Sequence, residues 1–127
     1  MFFPLPSPRR CFKLGEAIGR TIAAFPEDAK VLVVGSGGLS HQLEGERAGF
    51  INKEFDPKFM DSMVNDPQWA TLFSDIDLVE QTGNEGVELL NWMVARGTVP
   101  GEVKVVHSKF HIPISNTAAA TMLFEPV

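Results

Sequence analysis

The sequence is poor in cysteine, in basic residues and in long apolar runs. Its one cysteine, Cys11, leaves no partner for an internal disulfide. That fits a reducing, cytoplasmic setting. No apolar run approaches the ~18 residues that a membrane-spanning helix needs. Lys and Arg number 11 against 16 Asp and Glu, for a net charge of −5, and Arg9-Arg10 is the only basic doublet. A broad nucleic-acid surface needs clustered Lys and Arg, so that class is disfavoured. There is no internal repeat and no low-complexity tract. The opening MFFPLPSPRR is too short and too broken by proline for a signal peptide.

What remains is an ordinary globular composition, 44% hydrophobic over 127 residues. One domain with one real core is the expectation. The proline-rich start reads as an extended connection rather than a domain's first element.

Ser7-Pro8 reads as a helix start, with Ser as cap and Pro in the first turn. Cys11, Leu14, Ile18, Ile22 and Phe25 then recur at helical spacing, and Pro26 stops the run. VLVV (31–34) reads as a strand covered on both faces. Residues 35 to 55 read as a long ordered loop. Asp56-Pro57 and Asp66-Pro67 each read as a cap and first-turn pair. Phe59, Met60, Met63 and Val64 follow the first; Trp69, Leu72 and Phe73 follow the second. Ile76, Val79 and Leu78 suggest another short helical turn. Thr82-Gly-Asn-Glu85 has the capping-box spacing, ahead of an apolar helix that Gly97 closes. EVKVVHSKFHI and TAAATMLFE read as two late strands, antiparallel in the simplest arrangement. The expected fold class is α/β, a layered sheet with flanking helices.

The stretch VLVVGSGGLSHQL (31–43) admits two functional readings. A dinucleotide loop needs Gly-x-Gly-x-x-Gly at the mouth of a helix. Here Ser40 takes the third glycine position and no helical face follows. There is no Gly-Lys-Ser/Thr either. The other reading is a strand end that delivers His41 to chemistry, since an imidazole is the natural acid–base group near neutral pH. A solvated loop histidine is the bland alternative.

Glu85 has a dull explanation as the third helical residue of the capping box. Glu88 has none: Val87, Leu89 and Leu90 surround it, and a carboxylate on an apolar face must be paired, protonated or metal-bound. Metal ligation and a buried arginine partner both stay open. His107 and His111 lie about 13 Å apart if they sit on a strand, too far to share a metal.

Taken together, GSGGLSHQLEGERAGFIN, GNEGVELLNWMVARG and FHIPISNTA resemble the C-terminal half of the class III (LigB-type) extradiol ring-cleaving dioxygenases, nearest the protocatechuate 4,5-dioxygenase β-subunit branch. The resemblance implies a partial LigB-type catalytic domain over 1–127. It implies Fe(II) held by two histidines and a glutamate. Carried over by position, the metal glutamate is Glu88 and the acid–base histidine is His41. Ser115 and Asn116 fall on the pair that holds the substrate carboxylate. The two metal histidines are expected outside this chain. The implied substrate is a carboxylated catechol of the protocatechuate or gallate type, with O2. A small α subunit or self-association is the implied partnership. The competing reading is a non-catalytic, partner-binding module that keeps the dioxygenase half-fold.

Overall fold

The computed structural model describes residues 4–127; Met1, Phe2 and Phe3 of the proline-rich opening lie outside the described residues. Ser7 is extended (φ −62°, ψ 153°), and its hydroxyl oxygen accepts the Arg10 N–H at 3.2 Å. Helix α1 then runs Pro8–Ala23. The side it buries differs from the expected stripe. Cys11, Phe12 and Gly15 are buried, whereas Leu14 and Phe25 are more than half exposed. The reason is backbone proximity to α4 (Leu89–Gly97). A Cβ at Gly15 would collide with the Val94 carbonyl oxygen and lie 2.8 Å from Gly97 Cα. Small residues let two helices approach this closely, and that contact turns the larger side chains outward.

Helix α2 (Phe55–Asn65) carries the centre of the core. Phe55, Phe59, Met60 and Met63 are buried along it. Phe55, Phe59, Trp69, Phe73 and Trp92 form one aromatic cluster, with neighbouring centroids 5.0–6.3 Å apart. Those separations suit edge and tilted ring contacts. The second Asp-Pro pair opens only a 3-10 turn, Trp69–Leu72, and leaves Leu72 exposed. Helix α3 (Asp75–Thr82) follows, capped by the Ser74 hydroxyl, which accepts the Asp77 N–H at 3.1 Å. It buries Leu78. The capping box is not made. Thr82 is still helical, at the end of α3, and its hydroxyl donates back to the Leu78 carbonyl at 2.8 Å. A 3-10 turn, Gly86–Glu88, leads into α4. Gly97 is the last residue of α4 rather than the one beyond it.

Strands β1 (Val103–His111) and β2 (Ala119–Pro126) pair antiparallel, from Val103 opposite Pro126 to His111 opposite Ala119. The register slips once, between Val105 and His107. Both late histidines lie on β1, as expected, and both are exposed. Buried Arg96 ties α4 to its surroundings. Its guanidinium donates to the carbonyls of Met63, Val99 and Gly101 at 2.5, 2.6 and 2.8 Å. Burial lowers its pKa from the ordinary value. No helix among the described residues is long and apolar enough to cross a membrane.

The expected strand at 31–34 is absent. Val31, Leu32, Val33 and Val34 belong to no helix or strand among the described residues, and are 38–75% exposed. The sheet among the described residues has two strands, β1 and β2. A buried strand needs neighbours on both edges and cover on both faces, and these residues supply neither. An apolar groove of about 670 Å³ lies between this segment and β2, floored by Ile22, Met63 and Trp92. Leu32→Lys should therefore change the urea midpoint of this chain by no more than about 0.5 kcal/mol equivalent. A larger loss would show that Leu32 is packed.

Candidate functional site

The glycine-rich loop after residue 34 is held by side chains of the following helical region. Asn91 donates to the Ser36 carbonyl at 2.9 Å, and Trp92 Nε1–H donates to the Gly37 carbonyl at 3.0 Å. Gly37 has φ +141°, and a Cβ there would lie 2.6 Å from Glu88 Cβ. Only glycine fits so close to the 3-10 turn. The two glutamates of that region both reach back to the loop. Glu85 accepts the Leu43 N–H at 3.1 Å, and Glu88 accepts the Gly38 N–H at 2.9 Å.

Glu88 is thus solvent-exposed at the mouth of α4, not on an apolar face. The buried arginine that would have explained it exists, but it is Arg96, and Arg96 binds carbonyls. Glu88 keeps one carboxylate oxygen without a hydrogen bond among the described residues.

His41 is the opposite case: it is 5% exposed, not a solvated loop residue. Its backbone N–H donates to the Thr82 carbonyl at 2.8 Å, and it forms an isolated bridge with Thr117. Its Nδ1 lies 2.8 Å from the Leu39 carbonyl oxygen. A carbonyl only accepts, so in the neutral ring Nδ1 carries the proton and Nε2 carries the lone pair. Nε2 makes no hydrogen bond among the described residues. It is also not sealed away, because the one sealed, unpartnered side-chain N or O atom among the described residues is Asp75 Oδ1.

Gly38 joins the two candidates. Its N–H meets Glu88, and a Cβ on it would lie 3.2 Å from His41 Cε1. The imidazole and the carboxylate are therefore within about 9 Å of one another, the span of one aromatic ring with its substituents. Ser115 and Asn116 are exposed and directly precede Thr117, the bridge partner of His41. Asn116 Oδ1 lies 3.4 Å from where a Gly49 Cβ would be. The four candidates thus lie around one loop crossing, where Leu39 and Ser40 pair with Ala118 through N–H···O bonds of 3.0 and 3.1 Å. No group of three His, Cys, Asp or Glu able to hold a metal occurs among the described residues. The residues present offer one free carboxylate oxygen and one imidazole, which is not a complete iron site.

One residue beside the site escaped the sequence. Asp56 is not a helix cap; it lies inside α2, fully buried, and both its oxygens accept from Ser40. Burial raises its pKa from the ordinary 3.8, against the lowering effects of the Ser40 bonds and of His41. A folded-state pKa above the unfolded one gives stability that is complete below the unfolded value. That stability is lost as pH rises through the folded value. Asp56→Asn should flatten this fall in the urea midpoint above about pH 4. An unchanged slope would show that Asp56 does not contribute to it.

A family model described as the catalytic LigB subunit of aromatic ring-opening dioxygenase matches residues 1–123. The chain belongs to the LigB family. Over 122 residues it is 45% identical to a gallate dioxygenase of Pseudomonas putida, covering 96% of this chain and 36% of that protein. Over 53 residues it is 53% identical to a 2,3-dihydroxyphenylpropionate/2,3-dihydroxicinnamic acid 1,2-dioxygenase of Photorhabdus laumondii. That match covers 42% of this chain and 16% of the relative. This LigB chain therefore spans about a third of the gallate enzyme's length and less of the second. Its mix of helices with a small antiparallel sheet is consistent with a LigB domain.

Proposed function

We propose that this LigB-family chain is the C-terminal part of an Fe(II)-dependent extradiol dioxygenase acting on a carboxylated catechol of the gallate or protocatechuate type. The observation that carries this reading is Gly38. The Glu88 carboxylate accepts its N–H and the Cε1–Nδ1 edge of His41 lies beside it, which supports a common site for the two side chains. The similarity to a protein named gallate dioxygenase along 96% of the chain supports the substrate class.

In this reading Glu88 is one metal ligand and the other two come from outside these residues. Because that set is incomplete here, each role rests on the chain's own groups. His41 Nε2 accepts a proton from a catechol hydroxyl and later returns one, as a base whose proton count is fixed at the other nitrogen. The Ser115 hydroxyl and Asn116 amide donate to the substrate carboxylate, and their exposure leaves them free to do so. Protocatechuate and O2 give a ring-opened semialdehyde acid that holds both oxygen atoms; gallate, hydroxylated at the carbon where the aldehyde would form, gives a carboxylic acid at that carbon.

The layered sheet expected from VLVV belongs to the same reading. Val31–Val34 would be a strand of a larger sheet, completed by the remaining length that relatives carry. The same exposed segment and its groove favour the second reading, a non-catalytic module that binds a small α subunit or another copy. An oxygen electrode separates them. This chain joined to the remaining portion of a LigB enzyme, given ferrous iron, should consume O2 with gallate or protocatechuate. Loss of all uptake in a folded, iron-loaded protein would favour the binding module.

A further inference from the structure

Ser40 and Asp56 form a closed polar clamp behind the imidazole. Asp56 Oδ1 accepts the Ser40 N–H at 3.0 Å, and Oδ2 accepts the Ser40 hydroxyl at 2.6 Å. The Ser40 hydroxyl oxygen accepts the Asn52 N–H at 2.7 Å. The Ser40 carbonyl takes the Ala118 N–H at 3.1 Å. Every polar atom of Ser40 is used, and both Ser40 and Asp56 are fully buried. Asn52 is itself fixed: its side-chain NH2 donates to the Gln81 carbonyl at 2.9 Å, and its Oδ1 accepts the Phe55 N–H at 2.9 Å.

Helix stability does not require this arrangement. An acid in the first turn interacts favourably with the helix dipole while staying in water. Asp56 instead gives up solvent to meet one residue. That residue stands between Leu39, whose carbonyl holds His41 Nδ1–H, and His41 itself. The clamp fixes the two peptides that set the ring's orientation and tautomer.

We propose that Asp56 is a positioning residue which, through Ser40, locks His41 in the tautomer with Nδ1 protonated and Nε2 free. This rests on the proposed role of His41 for its catalytic meaning, but the lock itself is a property of this chain without metal or substrate. A buried bidentate acceptor is needed because two donors of one residue must be met at once. Asparagine would meet one donor and leave the hydroxyl hydrogen facing an NH2 group. Alanine would meet neither.

The test reads the imidazole 15N shifts of the labelled 127-residue chain at a pH where the rings are neutral, with exposed His111 as the internal reference. In the unaltered chain His41 should be one tautomer, protonated at Nδ1. In Asp56→Ala the tautomer ratio should fall by about tenfold, the size of one lost hydrogen bond. Asp56→Asn and Ser40→Ala should each give a smaller fall, as partial rescue of the clamp. Asp61→Asn, an exposed control, should change nothing. If Asp56→Ala does not fold, the two milder variants decide. Wild-type His41 shifts in folded Asp56→Asn and Ser40→Ala would overturn the proposal. Oxygen uptake by the joined enzyme separates the two claims. A tautomer shift with no turnover in any form leaves the clamp standing and removes the dioxygenase reading. Turnover with unmoved shifts does the reverse.

Discussion

His41→Ala in the joined enzyme is expected to lower turnover by about 10²–10⁴-fold, the usual contribution of a positioned acid–base group. The loss should appear in kcat at saturating catechol, with little change in folding. The physical case is the ring's hydrogen-bond pattern. Nδ1–H is committed to the Leu39 carbonyl at 2.8 Å, so Nε2 is the only nitrogen that can take a proton. His41→Gln should rescue little, because an amide is not a base near neutral pH. Turnover within a few-fold of the unaltered enzyme would remove His41 from the proton path.

Phe59→Ala should cost about 3–5 kcal/mol of stability. Phe59 is fully buried and stands between Phe55 and Trp92, with centroids at 6.2 and 6.3 Å. Its removal leaves a cavity in the aromatic cluster that links α2 to α4. A loss of this size approaches the whole stability of many domains, so the variant should be unfolded or nearly so at 25 °C. Denaturant unfolding followed by tryptophan fluorescence checks it. A loss below about 1 kcal/mol would show that the cluster repacks.

How far the sequence carried the reading depended on how local each signal was. Ser7-Pro8 started α1 because a cap needs only its own first turn. The late strands were legible because β-branched residues alternate within one hairpin. VLVV forms no strand here because a strand is defined by its neighbours, and residues 31–34 have none among the described residues. Leu14, Ile18 and Phe25 were a sound helical stripe. The contact of Gly15 with the Val94 backbone then turned that stripe partly to solvent. The Thr82–Glu85 spacing failed as a capping box because both side chains had other partners, the Leu78 carbonyl and the Leu43 N–H.

The candidate site residues came from resemblance more than from physics. The burial argument for Glu88 was wrong: it is exposed and holds the Gly38 N–H. His41 turned out buried, which spacing alone does not reveal. Asp56 was hidden by its own sequence context. An Asp before Pro at a helix start reads as a cap, and only its reach across to Ser40 shows another role.

The central claim is that Glu88 and His41 face one iron-and-catechol site in separate roles, ligand and base. Iron content per chain of the joined enzyme, in Glu88→Gln, Glu85→Gln and His41→Ala, tests it most directly. The account predicts that Glu88→Gln loses iron, while Glu85→Gln and His41→Ala keep it near the unaltered level. Full iron in Glu88→Gln, or its loss in His41→Ala with the fold intact, would contradict it.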